Sequence, residues 1–324
     1  MTRRDLRQTL EALAEIRKTA RAYFYNEGFI EVATSSLLPF PNLDPNVRPV
    51  PVAVKIPGEQ RRRWLHTSPE LSMKKLLAAG SGSIFQICPV YRDEEPTLQH
   101  RREFNMLEWY RGGADYEAAM EDAMCVFRMV CKAVSGSPVI NRAGVEFDLD
   151  GPWRVLTMAD AFRSYAGVES FTPLEMSSAL KSRGYRCSVA DSREELFFRL
   201  YVDAVEPNLG RTAPTIVKDF PDFLGTMARP KPGCAGILER FEIFMGGLEL
   251  ANGYSELTDG EELEKRMEMV RGTLAADGVE GLEVDREFIE AVGRLAPCAG
   301  VSVGLDRLAM LLLGAEDISE VIFP

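Results

Sequence analysis

Histidine is nearly absent, with His66 and His100 the only two in 324 residues. Ser-His-Asp and Cys-His catalytic arrangements, and zinc sites that draw on imidazole, are hard to build from so little. Cys88, Cys125, Cys131, Cys187, Cys234 and Cys298 contain no C-x-x-C pair, so they read as scattered reduced thiols. No apolar run reaches the roughly 18 to 20 residues that span a bilayer, and the polar start MTRRDLRQTL lacks a secretion-signal core. A cytoplasmic protein with no membrane contact is expected. Positive charge is in the minority, 38 Lys and Arg against 49 Asp and Glu, and the net −11 argues against a broad basic footprint for nucleic acid. Neither a GxxxxGKS/T loop nor a GxGxxG fingerprint opening a helix after a strand is present.

What is there is a chain able to bury a large core: 46% of residues are hydrophobic and 27% charged. Leu6, Leu10, Leu13, Ile16, Ala20 and Phe24 recur at helical spacing over Asp5 to Asn26, and Gly28 stops the run. GFIEV follows as a short strand, and the Pro-rich stretch from Pro39 to Pro57 reads as loop and edge strand. WLHT is a short strand, and Ser68-Pro69-Glu70 opens a helix with a serine cap. SIFQICPVYR and EFNMLEWYR read as two strands joined by a long charged loop, before a helix over Asp115 to Val134.

Residues from about 135 to 236 are less regular and are expected to form an insertion on the main fold. Helical stretches near Met158–Tyr165, Leu174–Arg183 and Glu194–Val205 alternate there with a strand at TIVKDF. Beyond it come strands in RFEIFMGG and LELANGYSEL, a helix opened by a Thr258-x-x-Glu261 capping box, a helix over Asp285 to Leu295, and a strand-to-helix turn in AGVSVGLDRLAMLLLG. One mainly antiparallel sheet flanked by helices, an α+β fold in a single domain over 1–324, is predicted.

Three clusters combine acids and arginines with apolar strand residues. Arg92 and Glu94 in YRDEE, and Glu108 and Tyr110 in LEWY, differ by two positions and would share a strand face. Glu242, Glu249 and Glu256 lie on apolar strands around a Gly-Gly break, with Asn252 and Tyr254 in step with Glu256. Any one acid on a half-exposed strand simply faces water, but several on one face call for a cation. Arg307 follows Gly304 at a strand-to-helix junction, where an anion is favoured and arginine's fork suits phosphate oxygens. Acids for metal and ammonium with arginines for phosphate imply a nucleotide site. His100, in the charged loop, is placed to contact a phosphate; His66 reads as a satisfied strand residue.

Together these residues resemble the class II aminoacyl-tRNA synthetases, and specifically their lysine branch. GFIEV is similar to the family's first motif, YRDE with the loop to EFNMLEWY to the second, and GLDRL to the third. LHTSPELSMKKLL and GLELANGYSELTD resemble the lysine-specific parts. The first-motif helix begins within a few residues of Met1, so no N-terminal anticodon-binding OB domain is expected. LELANG and LEWY resemble the stand-alone elongation factor P–lysine ligases, whose acceptor is a protein.

That resemblance implies ATP and Mg²⁺ as reactants, lysine or (R)-β-lysine as the amino acid, elongation factor P as acceptor, a homodimer, and little use for tRNA. It implies Arg92 and Arg307 as the catalytic arginines, on the α-phosphate with the substrate carboxylate and on the terminal phosphate. Glu94 would meet the adenine edge, Phe104 the base, and Gly304 would leave room for the nucleotide. Asp93, His100, Arg101 and Leu250 complete the expected ATP-binding set. Glu242 and Glu249 would ligate Mg²⁺. Glu70 would meet the amino group; Glu108, Tyr110, Asn252 and Glu256 would surround the side-chain ammonium, with Ser68, Pro69, Tyr254 and Ser302 beside them. Alternatives are a minimal tRNA-charging enzyme and a non-catalytic lysine or ATP sensor.

Four positions depart from the family. Ser35 replaces the first-motif proline, Arg101-Arg102 replace an Asn-Pro, and Ser302 stands where tRNA enzymes have Gly and the ligases Ala.

Overall fold

The computed structural model describes residues 5–45 and 47–323. Helix α1 (Leu6–Asn26) is capped by Asp5, whose carboxylate accepts from the Arg7 amide. It leads into strands β1 (Ile30–Glu31), β2 (Leu37–Leu38), β3 (Val50–Ile56) and β4 (Glu59–Leu65), then α2 (Glu70–Ala78). Strands β5 (Ile84–Tyr91) and β6 (Glu103–Gly112) form the predicted long-looped hairpin, followed by α3 (Tyr116–Ser135). Next come β7 (Val139–Arg142), β8 (Val145–Asp148), β9 (Arg154–Thr157) and helices α4 (Met158–Ala166), α5 (Pro173–Ser182) and α6 (Arg193–Leu200). The last third holds β10 (Thr215–Pro221), β11 (Ile237–Met245), β12 (Leu248–Ser255), α7 (Gly260–Ala276), α8 (Arg286–Val292), β13 (Cys298–Gly304) and α9 (Leu305–Leu313).

Eight strands make one sheet in the order β1-β5-β6-β13-β12-β11-β10-β9. Only its two edge pairs, β1 with β5 and β9 with β10, are parallel, so the α+β reading with a mainly antiparallel sheet holds. The back face is buried by α1, α3 and α9: Leu13, Ile16 and Phe24 meet Phe85, Leu107 and Trp109, and Val126 and Phe127 lie in the same core as Val301 and Leu308. Phe24 is fully buried, its ring 4.9 Å from Phe85 and 5.0 Å from Trp109. Such a ring contributes on the order of 2 kcal/mol by burial alone. Buried Asp122 on α3 ties the layers together, accepting from Tyr23 Oη at 2.6 Å and from Arg111 Nε and Nη2 at 2.7 and 2.6 Å.

On the front face, α4 to α6 pack over Val217, Phe220 and Phe244 at one end of the sheet. A separate cluster joins α2, α7 and α8 around Trp64, Leu263 and Phe288. The stretch 135–236 thus carries a core of its own and also supplies the edge strand β9 and its neighbour β10.

Several local expectations are corrected. Leu6 and Leu10 are 56% and 47% exposed, so the apolar stripe of α1 is buried only from Leu13 onward. Asp259, not Thr258, caps α7, accepting from the amides of Glu261 and Glu262. His66 and Thr67 lie beyond the end of β4, and Arg92 and Glu94 beyond the end of β5, so strand alternation does not orient them. The α2 N-cap is Pro69, with the Ser68 hydroxyl accepting from the Glu70 amide at 3.0 Å from one position earlier.

Candidate active site

Strand register builds the floor. Glu108, Ser302, Asn252 and Glu242 lie in one row across β6, β13, β12 and β11, and Tyr110, Gly300, Tyr254 and Arg240 form the next row. Directly paired residues share a face, so both rows point away from the back-face core. Gly300 is needed between the two tyrosines. A Cβ there would collide with Glu256 Oε1 and approach the Tyr110 ring to 2.5 Å.

Above this floor a cavity of about 270 Å³ is bordered by Ser68, Glu70, Arg92, Glu94, His100, Arg101, Phe104, Glu108, Tyr110, Glu249, Leu250, Asn252, Tyr254, Glu256, Ser302, Gly304 and Arg307. Residues as far apart in the chain as Ser68 and Arg307 therefore share one space. Leu250 contributes its edge only, since its side chain sits in the back-face core. Pro69, Asp93 and Glu242 do not border the cavity. Asp93 is half-exposed and faces Arg102 at 3.4 Å.

One end of the cavity is acidic. The Ser68 hydroxyl donates to Glu108 Oε2 at 2.6 Å, and Tyr110 Oη donates to Glu108 Oε1 at 2.7 Å. Tyr254 Oη donates to Glu70 Oε1. Burial, with Glu70 nearby, pushes the Glu108 carboxyl up to about 8; burial likewise pushes Glu256 up to about 8 although Lys74 opposes it. Lys74 Nζ lies against Glu256 Oε2, whereas the buried Glu256 Oε1 has no hydrogen-bond partner among the described residues. Carboxylates so placed invite an ammonium group.

The other end is basic. The Arg92 guanidinium lies 5.2 Å from the centre of the Phe104 ring, and its buried Nε has no partner among the described residues. Arg307 Nη1 donates to the Glu249 carbonyl at 3.0 Å. Arg101 Nη2 pairs with Asp317 at 2.9 Å. His100 Nδ1 lies 2.8 Å from Thr97 Oγ1; burial, reinforced by Arg307, lowers its pKa. The Asp306 carboxylate accepts from the Asn105 amide at 2.6 Å, which fixes the start of α9 against β6 and so the origin of Arg307.

Glu242 accepts from Arg240 Nη2 at 2.6 Å and from Tyr201 Oη at 3.1 Å. Burial pushes it up to about 7 against the pull of Arg240, with Glu249 and Glu206 adding repulsion. Among the described residues no three His, Cys, Asp or Glu side chains converge as a ready-made metal cage. Mg²⁺ uses one or two carboxylates together with substrate phosphates and water; Glu249, on the cavity border, offers such a carboxylate, while both Glu242 oxygens accept from Arg240 and Tyr201 behind it.

Three groups at the site were not foreseen. Lys74 lies buried between Glu70 and Glu256. Arg240 links Glu242 to Asn252. Asp44, in the loop before β3, borders the cavity and accepts from Thr67 Oγ1 at 3.2 Å; burial, then Glu70, push it up to about 6. Each was hidden by its setting: Lys74 and Arg240 read as ordinary charges on a helix and a strand, and Asp44 as loop. His66 sits outside the cavity, with Nε2 at 2.8 Å from the Pro89 carbonyl and Nδ1 without a partner among the described residues.

The chain can now be set beside known proteins. It is 40% identical over 306 residues to an Aquifex aeolicus protein named elongation factor P--(R)-beta-lysine ligase homolog, covering 94% of each chain. It is 35% identical over 320 residues to the elongation factor P--(R)-beta-lysine ligase of Histophilus somni, and 34% identical over 322 residues to that of Avibacterium paragallinarum. Both alignments cover 97% of this chain and 94% of the relative. Residues 1–324 match the family described as tRNA synthetases class II (D, K and N), and the chain belongs to that family.

Proposed function

We propose that this protein is an ATP-dependent ligase that activates lysine or (R)-β-lysine as its adenylate and transfers it to a lysine side chain of elongation factor P. The observation that carries the reading is the single cavity with Arg92 and Arg307 at one end and Glu70, Glu108 and Glu256 at the other. A diamino acid fits that polarity, with ammonium groups on the acids and the carboxylate toward Arg92. The names of the relatives supply the acceptor.

In the first step a substrate carboxylate oxygen attacks the α-phosphorus of ATP, the bond to the β-phosphate oxygen breaks, and pyrophosphate leaves. Arg92 is assigned to the α-phosphate and carboxylate and Arg307 to the terminal phosphate, where guanidinium groups stabilise the charge that develops. Glu94 takes the adenine edge, Phe104 the base, and His100 and Arg101 the phosphate margin. Glu249, with Glu242 behind it, would hold Mg²⁺, whose contribution when bound would be neutralisation of phosphate charge. In the second step the acceptor amine attacks the carbonyl carbon of the mixed anhydride, the C–O bond to AMP breaks, and the amine loses a proton as the amide forms. Positioning accounts for most of this catalysis, consistent with a cavity poor in imidazole.

A homodimer is assigned to the outer face of α1, where Leu6, Leu10 and Tyr25 are exposed. A cytoplasmic setting suits six thiols that form no disulfide, and no helix among the described residues is long and apolar enough to cross a membrane. The test incubates the protein with ATP, Mg²⁺, either lysine isomer and its own elongation factor P. A mass increase of one lysyl group on the acceptor is expected. No increase with either isomer overturns the reading.

A further inference from the structure

An ammonium supplied by the chain itself is buried against the acidic end of the cavity, without lining it. Lys74 lies one helical turn after Glu70 on α2 and is 1% exposed. Its Nζ is 2.5 Å from Glu70 Oε1 and 2.5 Å from Glu256 Oε2. It also lies 5.3 Å from the centre of the Tyr254 ring and 6.0 Å from that of Tyr110. The lysine therefore bridges two of the three acids that the proposed function gives to the substrate's amines.

The count of charges is the point. Glu70, Glu108 and Glu256, when ionised, carry three negative charges; Lys74 cancels one, and two remain at the acids assigned to the amines, while the nearby Asp44 carboxyl feels Arg92 as well as Glu70. A diamino acid brings two ammonium groups, while its carboxylate is assigned elsewhere, to Arg92. The geometry divides the oxygens the same way. Glu70 Oε1 is shared by Lys74 and Tyr254, and Glu256 Oε2 faces Lys74, whereas Glu256 Oε1 faces the gap kept open by Gly300.

Resting on the lysine-activating reading above, we propose that Lys74 is a positioning residue that sets the charge capacity of the amino-acid pocket. It holds Glu70 and Glu256 at a fixed separation and leaves room for two further cations. A competing idea treats Lys74 as a stand-in that the substrate must displace. The two make opposite predictions: loss of a competitor tightens lysine binding, whereas loss of a bridge weakens it and leaves two buried acids facing each other.

The experiment is lysine-dependent ATP–pyrophosphate exchange on the full chain, wild type against Lys74→Ala and Lys74→Met. The expected result is a rise of at least tenfold in KM for lysine in both variants, with KM for ATP unchanged. Propylammonium, which matches the side-chain atoms lost in Lys74→Ala, should restore exchange in that variant and have no such effect on the wild type. Packing alone would not produce this rescue. An unchanged or lower KM for lysine in either variant overturns the proposal, and so does a loss that propylammonium fails to reverse in folded Lys74→Ala. Should Lys74→Ala not fold, near-isosteric Lys74→Met decides: wild-type KM overturns, raised KM supports. The isomer used is whichever of lysine and (R)-β-lysine supports wild-type exchange; wild-type protein without exchange dependent on either would instead remove the proposed function itself.

Discussion

Ser68 and Glu108, forty positions apart, are joined by a 2.6 Å hydrogen bond in which the serine hydroxyl donates to Glu108 Oε2. The same hydroxyl accepts from the Glu70 amide at 3.0 Å, so one side chain sets both the start of α2 and the aim of a carboxylate on β6. Ser68→Ala leaves a buried acid with one donor fewer. A hydrogen bond to a charged group is worth roughly 1.5–3 kcal/mol, so kcat/KM for lysine should fall by about 10- to 100-fold while KM for ATP stays level. Steady-state exchange kinetics with each substrate varied in turn provide the check.

The acid pocket should make lysine use depend on pH. Glu108 and Glu256 are both raised to about 8, by burial first, and an ammonium ligand needs them ionised. Between pH 6.5 and 8.5, kcat/KM for lysine should therefore climb and protons should be released on binding. The stability effect has the reverse sign. Acids whose folded pKa exceeds the ordinary carboxyl value contribute stability fully below about 4.5, and it is lost as pH rises through about 8. These groups should lower the melting temperature of the ligand-free protein across that window, while the increment from added lysine grows. Thermal melts with and without lysine measure both trends; an increment that shrinks as pH rises counts against the assignment.

Gly300 should be the residue least able to change without emptying the amino-acid end. Its backbone is outside the left-handed region, so alanine is conformationally acceptable there, yet the added Cβ would collide with Glu256 Oε1 and the Tyr110 ring. Gly300→Ala should retain the melting shift produced by ATP with Mg²⁺ and lose the shift produced by lysine. Loss of both would mean that the sheet itself had moved.

Much of this organisation is legible from residue order, and the exceptions share a cause. Period-two alternation in LEWY and LELANGYSEL correctly aligned Glu108 with Tyr110 and Asn252 with Tyr254, because central strands cannot slip register without turning core residues outward. Helix α1 was legible for the same reason through its 3.6-residue stripe. Its two ends differ because the sheet covers Phe24 but does not reach Leu6, and periodicity alone does not report how far a neighbour extends. Arg92 and Glu94 reached the cavity as expected, though from a loop rather than a strand, held partly by the Arg92 amide donating to the Arg102 carbonyl at 2.9 Å. Lys74 was invisible because its partners lie on α2 and just past the end of β12, a contact that only the folded chain creates.

Ser302 offers a separation of shape from polarity in the choice between lysine isomers. It lies in the floor row between Glu108 and Asn252, and its hydroxyl donates at 3.3 Å to the Asn252 carbonyl instead of pointing freely into the cavity. A hydroxyl engaged with the backbone has little left to offer a ligand, so Ser302→Ala should keep the wild-type ratio of kcat/KM for α-lysine and (R)-β-lysine. Ser302→Gly removes the Cβ as well and deepens the floor beside Glu108. A change of that size in a pocket is worth about 1–3 kcal/mol of discrimination, or 10- to 200-fold. The ratio should move toward α-lysine, matching the glycine of the tRNA-charging branch, with KM for ATP unaltered. Competition between the two isomers, read by mass on the acceptor protein, measures the ratio directly; equal shifts in Ser302→Ala and Ser302→Gly would assign the preference to the hydroxyl instead.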